Sequence, residues 1–265
     1  HICSMHTILI TGAGTGIGAA TARKLSGLQN ARLILVGRRN SPLEKLLETL
    51  ENKERHRIYS IDISDPNSLK QLLSDPSTGL KEHPLVNVFA NAGIGGTNDF
   101  SHNENDRWSE IINTNLSGTY NTCMASIPWL QKATSAVISN KNIVITSSCL
   151  ARFGVPHQSA YVASKTGLLG LVRSLATEYS REGILINAIN PGWVDTDMAR
   201  SSIQAMADGA GVDYNVMLQD QKDLVPTGHF SSPDEIAELV SFLFSGVQRS
   251  ITGQAIDING GSWMG

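Results

Sequence analysis

The chain has 265 residues, of which 41% are apolar and 17% are charged, and its 21 basic and 24 acidic side chains give a formal net charge of −3. This composition excludes a disordered chain, and the near-neutral charge argues against a nucleic-acid-binding protein, which normally carries a basic excess. Three cysteines are too few and too scattered for a disulfide framework or a zinc site. Because no apolar run approaches the ~20 residues of a membrane-spanning helix, we expect a cytoplasmic protein that binds neither membrane nor metal. Residues 1–4 are expected to precede a native start at Met5.

Short runs rich in Ile, Val and Leu alternate along the chain with longer amphipathic segments. The runs are nearly continuous in apolar character, as strands buried on both faces of a parallel sheet should be. The predicted strands cover residues 7–11, 32–37, 57–61, 85–90, 142–147, 184–189 and 255–258, and the predicted helices cover residues 16–28, 43–53, 68–74, 105–130, 160–181 and 233–245. This alternation predicts one α/β domain over residues 1–265, with a doubly wound parallel sheet covered by helices on both faces.

A glycine-rich turn directly follows the first predicted strand. Gly12, Gly14, Gly16 and Gly18 lie between that strand and the first predicted helix. Glycines permit a tight turn and a close approach of backbone N–H groups to a diphosphate, and the positive end of the helix faces the same anion. The turn therefore predicts a dinucleotide site; the alternative is a glycine turn that only reverses the chain.

The end of the second predicted strand indicates which dinucleotide binds. Gly37, Arg38 and Arg39 follow Val36, and no acidic residue is present at this strand end. A free ribose 2′-hydroxyl favours an acidic side chain here, whereas a 2′-phosphate favours a cation. We therefore predict NADP(H) in preference to NAD(H), which stays an alternative because Arg38 and Arg39 can also be solvated loop charges.

Further landmarks occur in order along nearly the whole chain. The spacing Gly12-x-x-x-Gly16-x-Gly18 resembles the cofactor loop of the short-chain dehydrogenase/reductase family. The other landmarks similar to that family are Asp62-Ile63, Asn91-Ala92-Gly93 with Ala90 in place of the family's first Asn, Asn115, Ser147-Ser148, Tyr161-x-x-x-Lys165, Pro191-Gly192 and Thr196. The resemblance implies a single-domain Rossmann-like fold and an oxidoreductase.

The resemblance also implies which residues contact the cofactor. They are Gly12, Thr15, Gly16, Ile17, Gly18, Gly37, Arg38, Arg39, Asp62, Ile63, Asn91, Ala92, Gly93, Tyr161, Lys165, Pro191, Gly192, Val194 and Thr196.

Tyr161 and Lys165 are four residues apart, so on a helix they share one face. A phenol has an ordinary pKa of ~10, and we expect the Lys165 ammonium and an oxidised nicotinamide ring to lower it. Tyr161 then serves as the general acid when a ketone is reduced and as the general base when an alcohol is oxidised. The resemblance implies that Ser148 binds the substrate oxygen, with Ser147 as the second choice, and that Asn115 orients a water connecting Lys165 to solvent.

The expected substrate site is mainly apolar. Ser148, Leu150 and Trp193 are its predicted substrate contacts, and the absence of a cationic clamp favours a neutral ketone over a small carboxylate. Residues 198–230 hold few periodic runs and are predicted to be a loop-and-short-helix excursion that closes over the site as a lid. Within the family, the turn at residues 191–194 is similar to that of 3-hydroxybutyrate dehydrogenases, and the chain as a whole is similar to 3-oxoacyl-carrier-protein reductases.

These observations predict an NADP(H)-dependent oxidoreductase that interconverts a ketone and a secondary alcohol. Its substrate is expected to be a small molecule. The alternatives are an NAD(H)-dependent hydroxy-acid or alcohol dehydrogenase, a non-catalytic regulator that senses nicotinamide, and an enzyme that uses the Tyr/Lys pair for epimerisation or dehydration. The C-terminal residues 253–261 resemble the last strand of family members that assemble as tetramers, which implies a homotetramer.

Overall fold

The computed structural model of the protein describes residues 5–98, 106–133 and 140–265; residues 1–4, where an added segment was predicted, lie outside it. The strands are β1 (His6–Thr11), β2 (Ala31–Gly37), β3 (Arg57–Ser60), β4 (Leu85–Ala90), β5 (Lys141–Thr146), β6 (Ile184–Pro191) and β7 (Ala255–Ile258). The helices are α1 (Gly16–Ser26), α2 (Asn40–Leu47), α3 (Ser68–Ser74), α4 (Trp108–Ile112), α5 (Gly118–Lys132), α6 (Ser159–Tyr179), α7 (Asp197–Ala210), α8 (Tyr214–Asp223) and α9 (Pro233–Phe244).

The strands form one parallel sheet in the order β3-β2-β1-β4-β5-β6-β7. Side chains of each central strand alternate between two apolar layers. In β1, Leu9 packs in the layer that contains α3, α5 and α6, while Ile8 and Ile10 pack in the layer that contains α1, α2 and α9. Because helices cover both faces, the central strands bury apolar side chains on both sides, and the predicted doubly wound, Rossmann-like α/β fold is confirmed.

The prediction of one helix over residues 105–130 is wrong in detail. The described part consists of α4, a wider π turn at Asn113–Ser117, and α5. Such turns interrupt helices mostly at functional sites. Here the turn carries Asn115, whose side chain is buried and bonds the backbone of Ile94 instead of lying on the helix surface.

Residues 198–230 are more regular than predicted, since they form most of α7 and all of α8. Thr196 caps α7 by accepting from the Ala199 N–H, and Asp213 caps α8 in the same way. The buried residues of α7 are Ala199, Ile203 and Ala207, a narrow stripe of mostly small side chains. These residues recur every fourth position, as on a helix, and the loop prediction gave too much weight to the glycines of this stretch, such as Gly209 and Gly211.

The second predicted helix is also shifted. It was predicted over residues 43–53, but α2 begins at Asn40, directly after the strand end, and finishes at Leu47. The chain then turns through Asn52, which has a left-handed φ of +51°. No helix in the described ranges is long and apolar enough to cross a lipid bilayer.

Candidate active site

A cleft opens at the carboxyl ends of the strands, where β1 lies between β2 and β4 and the direction of strand order reverses. Doubly wound sheets bind their ligands at this point. The residues that line the cleft are Gly12, Gly14, Thr15, Val36, Gly37, Arg38, Arg39, Pro42, Ile61, Asp62, Ile63, Ala92, Gly93, Ile94 and Thr114. Predicted cofactor residues make up the larger part of this lining.

The glycine turn is shaped by close backbone packing. Gly12 has a φ of +63°, and a Cβ on it would lie 2.7 Å from the Ala92 Cα. A Cβ on Gly18 would lie 2.2 Å from the Gly12 carbonyl oxygen. No side chain caps α1 and no acidic residue lies in its first turn, so the positive helix end faces the cleft without a competing protein anion. A diphosphate fits this position.

Replacing Gly18 by Ala is expected to lower the free energy of unfolding by at least about 2 kcal/mol, because the added methyl collides with backbone. Gly170 is the matched control, since it also lies in a helix and a Cβ there meets no atom within 4 Å. Gly170→Ala should leave stability unchanged or raise it by up to about 1 kcal/mol. Urea unfolding of both variants measures the difference, and equal stability of the two would contradict the packing described.

Several residues that line the cleft, among them Val36, Pro42, Ile61 and Thr114, were not predicted as cofactor contacts. Val36 precedes Gly37 and Arg38, and Ile61 precedes Asp62. Pro42 is the third residue of α2 and lies beside the glycine turn. A Cβ on Gly14 would lie 3.0 Å from Pro42 Cβ, which places that glycine against α2. Thr114 lies in the π turn. Their places next to the recognised motifs, at the end of a strand or in the first turn of a helix, could have indicated that they line the cleft.

Side-chain hydrogen bonds tie the ends of β1, β4 and β5 together beside the cleft. Thr11 Oγ1 accepts from the backbone N–H groups of Asn91 and Ala92 at 3.1 and 3.2 Å. Asn91 donates to the Gly12 carbonyl at 3.3 Å and accepts from the Thr146 hydroxyl at 3.0 Å. Asn91 therefore holds the strand ends in place around the glycine turn.

Asn115 joins the π turn to the segment after β4. Its Oδ1 accepts from the Ile94 N–H at 2.8 Å, and its Nδ2 donates to the Ile94 carbonyl at 2.9 Å and to Ser164 Oγ at 3.2 Å. A Cβ on Gly93 would lie 3.2 Å from Asn115 Oδ1 and 3.5 Å from Lys165 Nζ, so these groups surround Gly93 closely. The water-orienting role of Asn115 stays a prediction.

Lys165 and Tyr161 lie together in the first turns of α6. The Lys165 ammonium is 5.6 Å from the centre of the Tyr161 ring and donates to the Thr146 carbonyl at 2.8 Å. The Ser148 side chain lies close enough to the Tyr161 hydroxyl to favour the phenolate, and its Oγ accepts from the Leu150 N–H at 3.1 Å. Ser147, the second choice for the substrate contact, is buried and donates to the Lys165 carbonyl at 2.9 Å. These contacts favour Ser148.

The expected lowering of the Tyr161 pKa is not found in the protein alone. Burial raises the pKa of Tyr161 to about 12, and the hydrogen bond with Ser148 opposes this rise only in part. Burial also lowers the pKa of Lys165 to about 8. Lys165 is buried and Tyr161 is half-buried, and a surrounding of low dielectric constant disfavours the charged form of each group.

The segment after β6 reaches the glycine turn from the other side of the cleft. Gly192 bonds β7 through the Ile258 carbonyl, and Val194 is paired with Ser231. Thr196 packs against the glycine turn, since a Cβ added to Gly16 would lie only 3.1 Å from the Thr196 Cγ2. The predicted cofactor residues that do not line the cleft are Gly16, Ile17, Gly18, Asn91, Tyr161, Lys165, Pro191, Gly192, Val194 and Thr196.

Of the predicted substrate contacts, Ser148 and Leu150 begin a short turn, Cys149–Ala151, that precedes α6. Trp193 instead stacks on Phe230 with ring centres 5.4 Å apart. Met198 of α7 approaches the segment after β4, since its Sδ would lie 3.3 Å from a Cβ on Gly95. In the part of the chain that the structure covers, no three His, Cys, Asp or Glu side chains come together as a metal site.

Comparisons with known proteins agree with this geometry. Residues 6–207 match the model of the short chain dehydrogenase family. A 3-oxoacyl-[acyl-carrier-protein] reductase of Pseudomonas aeruginosa is 34% identical over 257 residues, covering 97% of this chain and 96% of the relative. A human (3R)-3-hydroxyacyl-CoA dehydrogenase is 29% identical, covering 97% and 95%. The crystal structure of a variant actinorhodin polyketide ketoreductase with NADPH superposes with a TM-score of 0.87 at 27% identity, covering 97% of both chains.

The chain therefore belongs to the short-chain dehydrogenase family, as its motifs predicted. It is an oxidoreductase that acts on CH–OH and carbonyl groups.

Proposed function

We propose that the protein is an NADP(H)-dependent enzyme that interconverts a ketone and a secondary alcohol, with Tyr161 as the proton donor and acceptor. The observation that carries this proposal is the position of Lys165 beside Gly93 of the cleft, with Tyr161 next to Lys165 and Ser148 next to Tyr161. A panel of ketones, with NADPH oxidation followed by absorbance, tests it. Turnover of at least one ketone is expected, and a protein that binds NADPH but reduces none would be the regulator considered above.

The residues of the cleft fit NADP(H) at both ends. Gly12 and the uncapped start of α1 leave room and positive potential for the diphosphate. Arg38 and Arg39 line the cleft where a 2′-phosphate would lie, and Gly37 places no carboxylate there. The solved ketoreductase with NADPH supports the same choice. When bound, NADP(H) supplies the hydride to a ketone or takes it from an alcohol.

The side chains around the reacting carbon hold and move the proton. Ser148 and the Tyr161 hydroxyl form a pair that is able to bind one carbonyl oxygen from two sides. In the reducing direction, the Tyr161 hydroxyl donates its proton to that oxygen, and in the oxidising direction the phenolate accepts it. Lys165 contributes a positive charge within 5.6 Å of the ring, which favours the phenolate once cofactor completes the site.

The charges around the substrate side support a neutral substrate. Among the described residues, the arginines here are already paired with acidic groups: Arg107 with Glu110 at 2.7 Å, Arg152 with Asp257 at 3.3 Å, and Arg200 with Asp195 and with Asp197. Arg107 also donates to the Gly95 carbonyl at 3.0 Å. A carboxylate on the substrate would therefore lack a free cation and would lose hydration without compensation.

We expect an ethyl 3-oxo ester to be reduced with a kcat/KM at least about tenfold higher than the free 3-oxo acid of the same chain length. Tenfold corresponds to about 1.4 kcal/mol, a small part of the cost of leaving a carboxylate unpaired. Initial rates with both compounds at one NADPH concentration measure the ratio. Equal or faster reduction of the acid would instead favour the hydroxy-acid dehydrogenase.

Two further parts of the proposal concern the surroundings of the site. Residues 198–230 are proposed to close over it, because α7 begins at the cofactor side and its Met198 meets Gly95, while α8 buries none of its side chains. A homotetramer and a cytoplasmic location are proposed by analogy with family members alone.

A further inference from the structure

The helix that carries Tyr161 begins without a cap from its own sequence. The N-cap position of α6 is Gln158, whose side chain makes no capping hydrogen bond. Asn, Asp, Ser and Thr are the effective residues at this position, because a short side chain reaches the N–H groups of the first turn. Tyr161 is the third residue of α6 and so lies in the turn that frays first when a helix is uncapped.

Asn98, 62 positions before Ala160, supplies the missing cap. Its Oδ1 accepts from the Ala160 N–H at 3.1 Å. The Ser159 Oγ lies 2.9 Å from the Asn98 Nδ2, which donates to it, and 3.2 Å from the Asn98 Oδ1, which can accept from it. The Asn98 backbone N–H also donates to the His157 carbonyl at 2.9 Å. Asn98 is fully buried, so water does not replace these bonds.

Asn98 follows a stretch of chain that is fixed to the site at Ile94 and Gly95. Ile94 is held through both backbone groups by Asn115, and Arg107 donates to the Gly95 carbonyl at 3.0 Å. Residues 94–98 therefore run from the cleft to the start of α6. Asn98 connects this segment to the first turn of α6, so a shift of the segment would also shift Tyr161.

We propose that Asn98 is a positioning residue that fixes the Tyr161 hydroxyl at the reacting carbonyl by capping α6 from a distance. This inference rests on the proposed role of Tyr161. Loss of the cap releases the first turn of α6, and displacement of a catalytic group by about 1 Å is enough to cost about a hundredfold in rate. Most of the cofactor cleft is lined by the glycine turn and by residues at or after the ends of β2 and β3, so NADPH affinity is expected to change little.

The test compares Asn98→Ala, Asn98→Asp and the control Asn187→Ala. Asp keeps the acceptor for the Ala160 N–H and for the Ser159 hydroxyl, and a negative charge suits a helix N-terminus. Asn187 is similarly buried and bonds the Ile251 carbonyl and the Gln254 N–H, away from the cleft. For each variant, kcat, KM, NADPH affinity, melting temperature and the solvent deuterium isotope effect on kcat are measured.

For Asn98→Ala we expect kcat to fall at least about tenfold, with KM and NADPH affinity within about twofold and a larger solvent isotope effect, because proton transfer becomes slower. Asn98→Asp should recover kcat to within about threefold of the unmodified protein. Asn187→Ala should lose thermal stability without these changes. If Asn98→Ala behaves like Asn187→Ala, or keeps its full kcat, Asn98 stabilises the fold only.

A second variant covers failure of Asn98→Ala to fold. Ser159→Ala removes one partner of Asn98 and leaves the bond to Ala160, so kcat should fall about threefold with the same rise in the solvent isotope effect. An unchanged kcat and isotope effect in this variant would overturn the proposal. Full activity of Tyr161→Phe would overturn the proposed function itself, whereas an inactive Tyr161→Phe beside a fully active Asn98→Ala would overturn only the role of Asn98.

Discussion

Tyr161→Phe is expected to lower kcat for ketone reduction by about 10³-fold, since it removes the only atom that donates a proton and leaves the ring in place. The hydroxyl has Ser148 as its partner and Lys165 within 5.6 Å of its ring, and neither supplies an equivalent proton at the same point. NADPH affinity should stay within about threefold, because the cleft is unaltered. Steady-state rates and NADPH fluorescence titration measure the two quantities.

Tyr179→Phe is the matched control for this variant. Tyr179 is the last residue of the same helix, and its pKa is raised by a hydrogen bond with Glu178, far from the cleft. The same change of side chain there should leave kcat within about twofold. Turnover of Tyr161→Phe within tenfold of the unmodified protein, with Tyr179→Phe also active, would reject Tyr161 as the acid and base.

Gly37→Asp is expected to shift the preference from NADPH towards NADH, with a change of about 10²-fold or more in the ratio of the two kcat/KM values. A Cβ on Gly37 would lie 3.6 Å from Leu43 Cδ2, an ordinary contact, and the φ of Gly37 is not positive, so the side chain fits. Its carboxylate would face Arg38 in the lining, where it repels a 2′-phosphate and accepts from a 2′-hydroxyl.

Gly37→Asn separates charge from size in this experiment. The amide has nearly the same shape and no charge, so NADPH preference should fall by less than about tenfold. Kinetics of both variants with both cofactors give the comparison. If the unmodified protein prefers NADH, or if Asp and Asn act alike, Arg38 and Arg39 do not select the cofactor.

The sheet was predictable because its central strands direct apolar side chains to both faces and are followed by polar or glycine-rich turns. The cleft was predictable for a related reason: Gly12, Asp62 and Gly93 lie within three residues of strand ends, and parallel strands bring their carboxyl ends to one edge. Motif spacing placed Tyr161 and Lys165 on one face of α6, and their contacts with each other and with Thr146 follow from that.

Features that depend on distant contacts were not predictable. The cap of α6 comes from Asn98, a residue with no local pattern of its own, while the residue next to the helix is Gln158. The pKa of Tyr161 depends on how far the folded chain encloses the phenol, and four-residue spacing to a lysine carries no information about that enclosure.

The central claim is that Tyr161 is too weak an acid in the protein alone and becomes able to exchange its proton when NADP⁺ is bound. Carbon-13 labelling of the tyrosine Cζ atoms gives a separate NMR signal for each of the five tyrosines, with Tyr161→Phe as the assignment. Without NADP⁺ the signal should stay that of a phenol up to pH ~10, consistent with a pKa of about 12. With NADP⁺ the phenolate should form below pH ~9, because a positive ring and the Lys165 ammonium then favour it. A Tyr161 signal that titrates at the same pH with and without NADP⁺ would contradict the account.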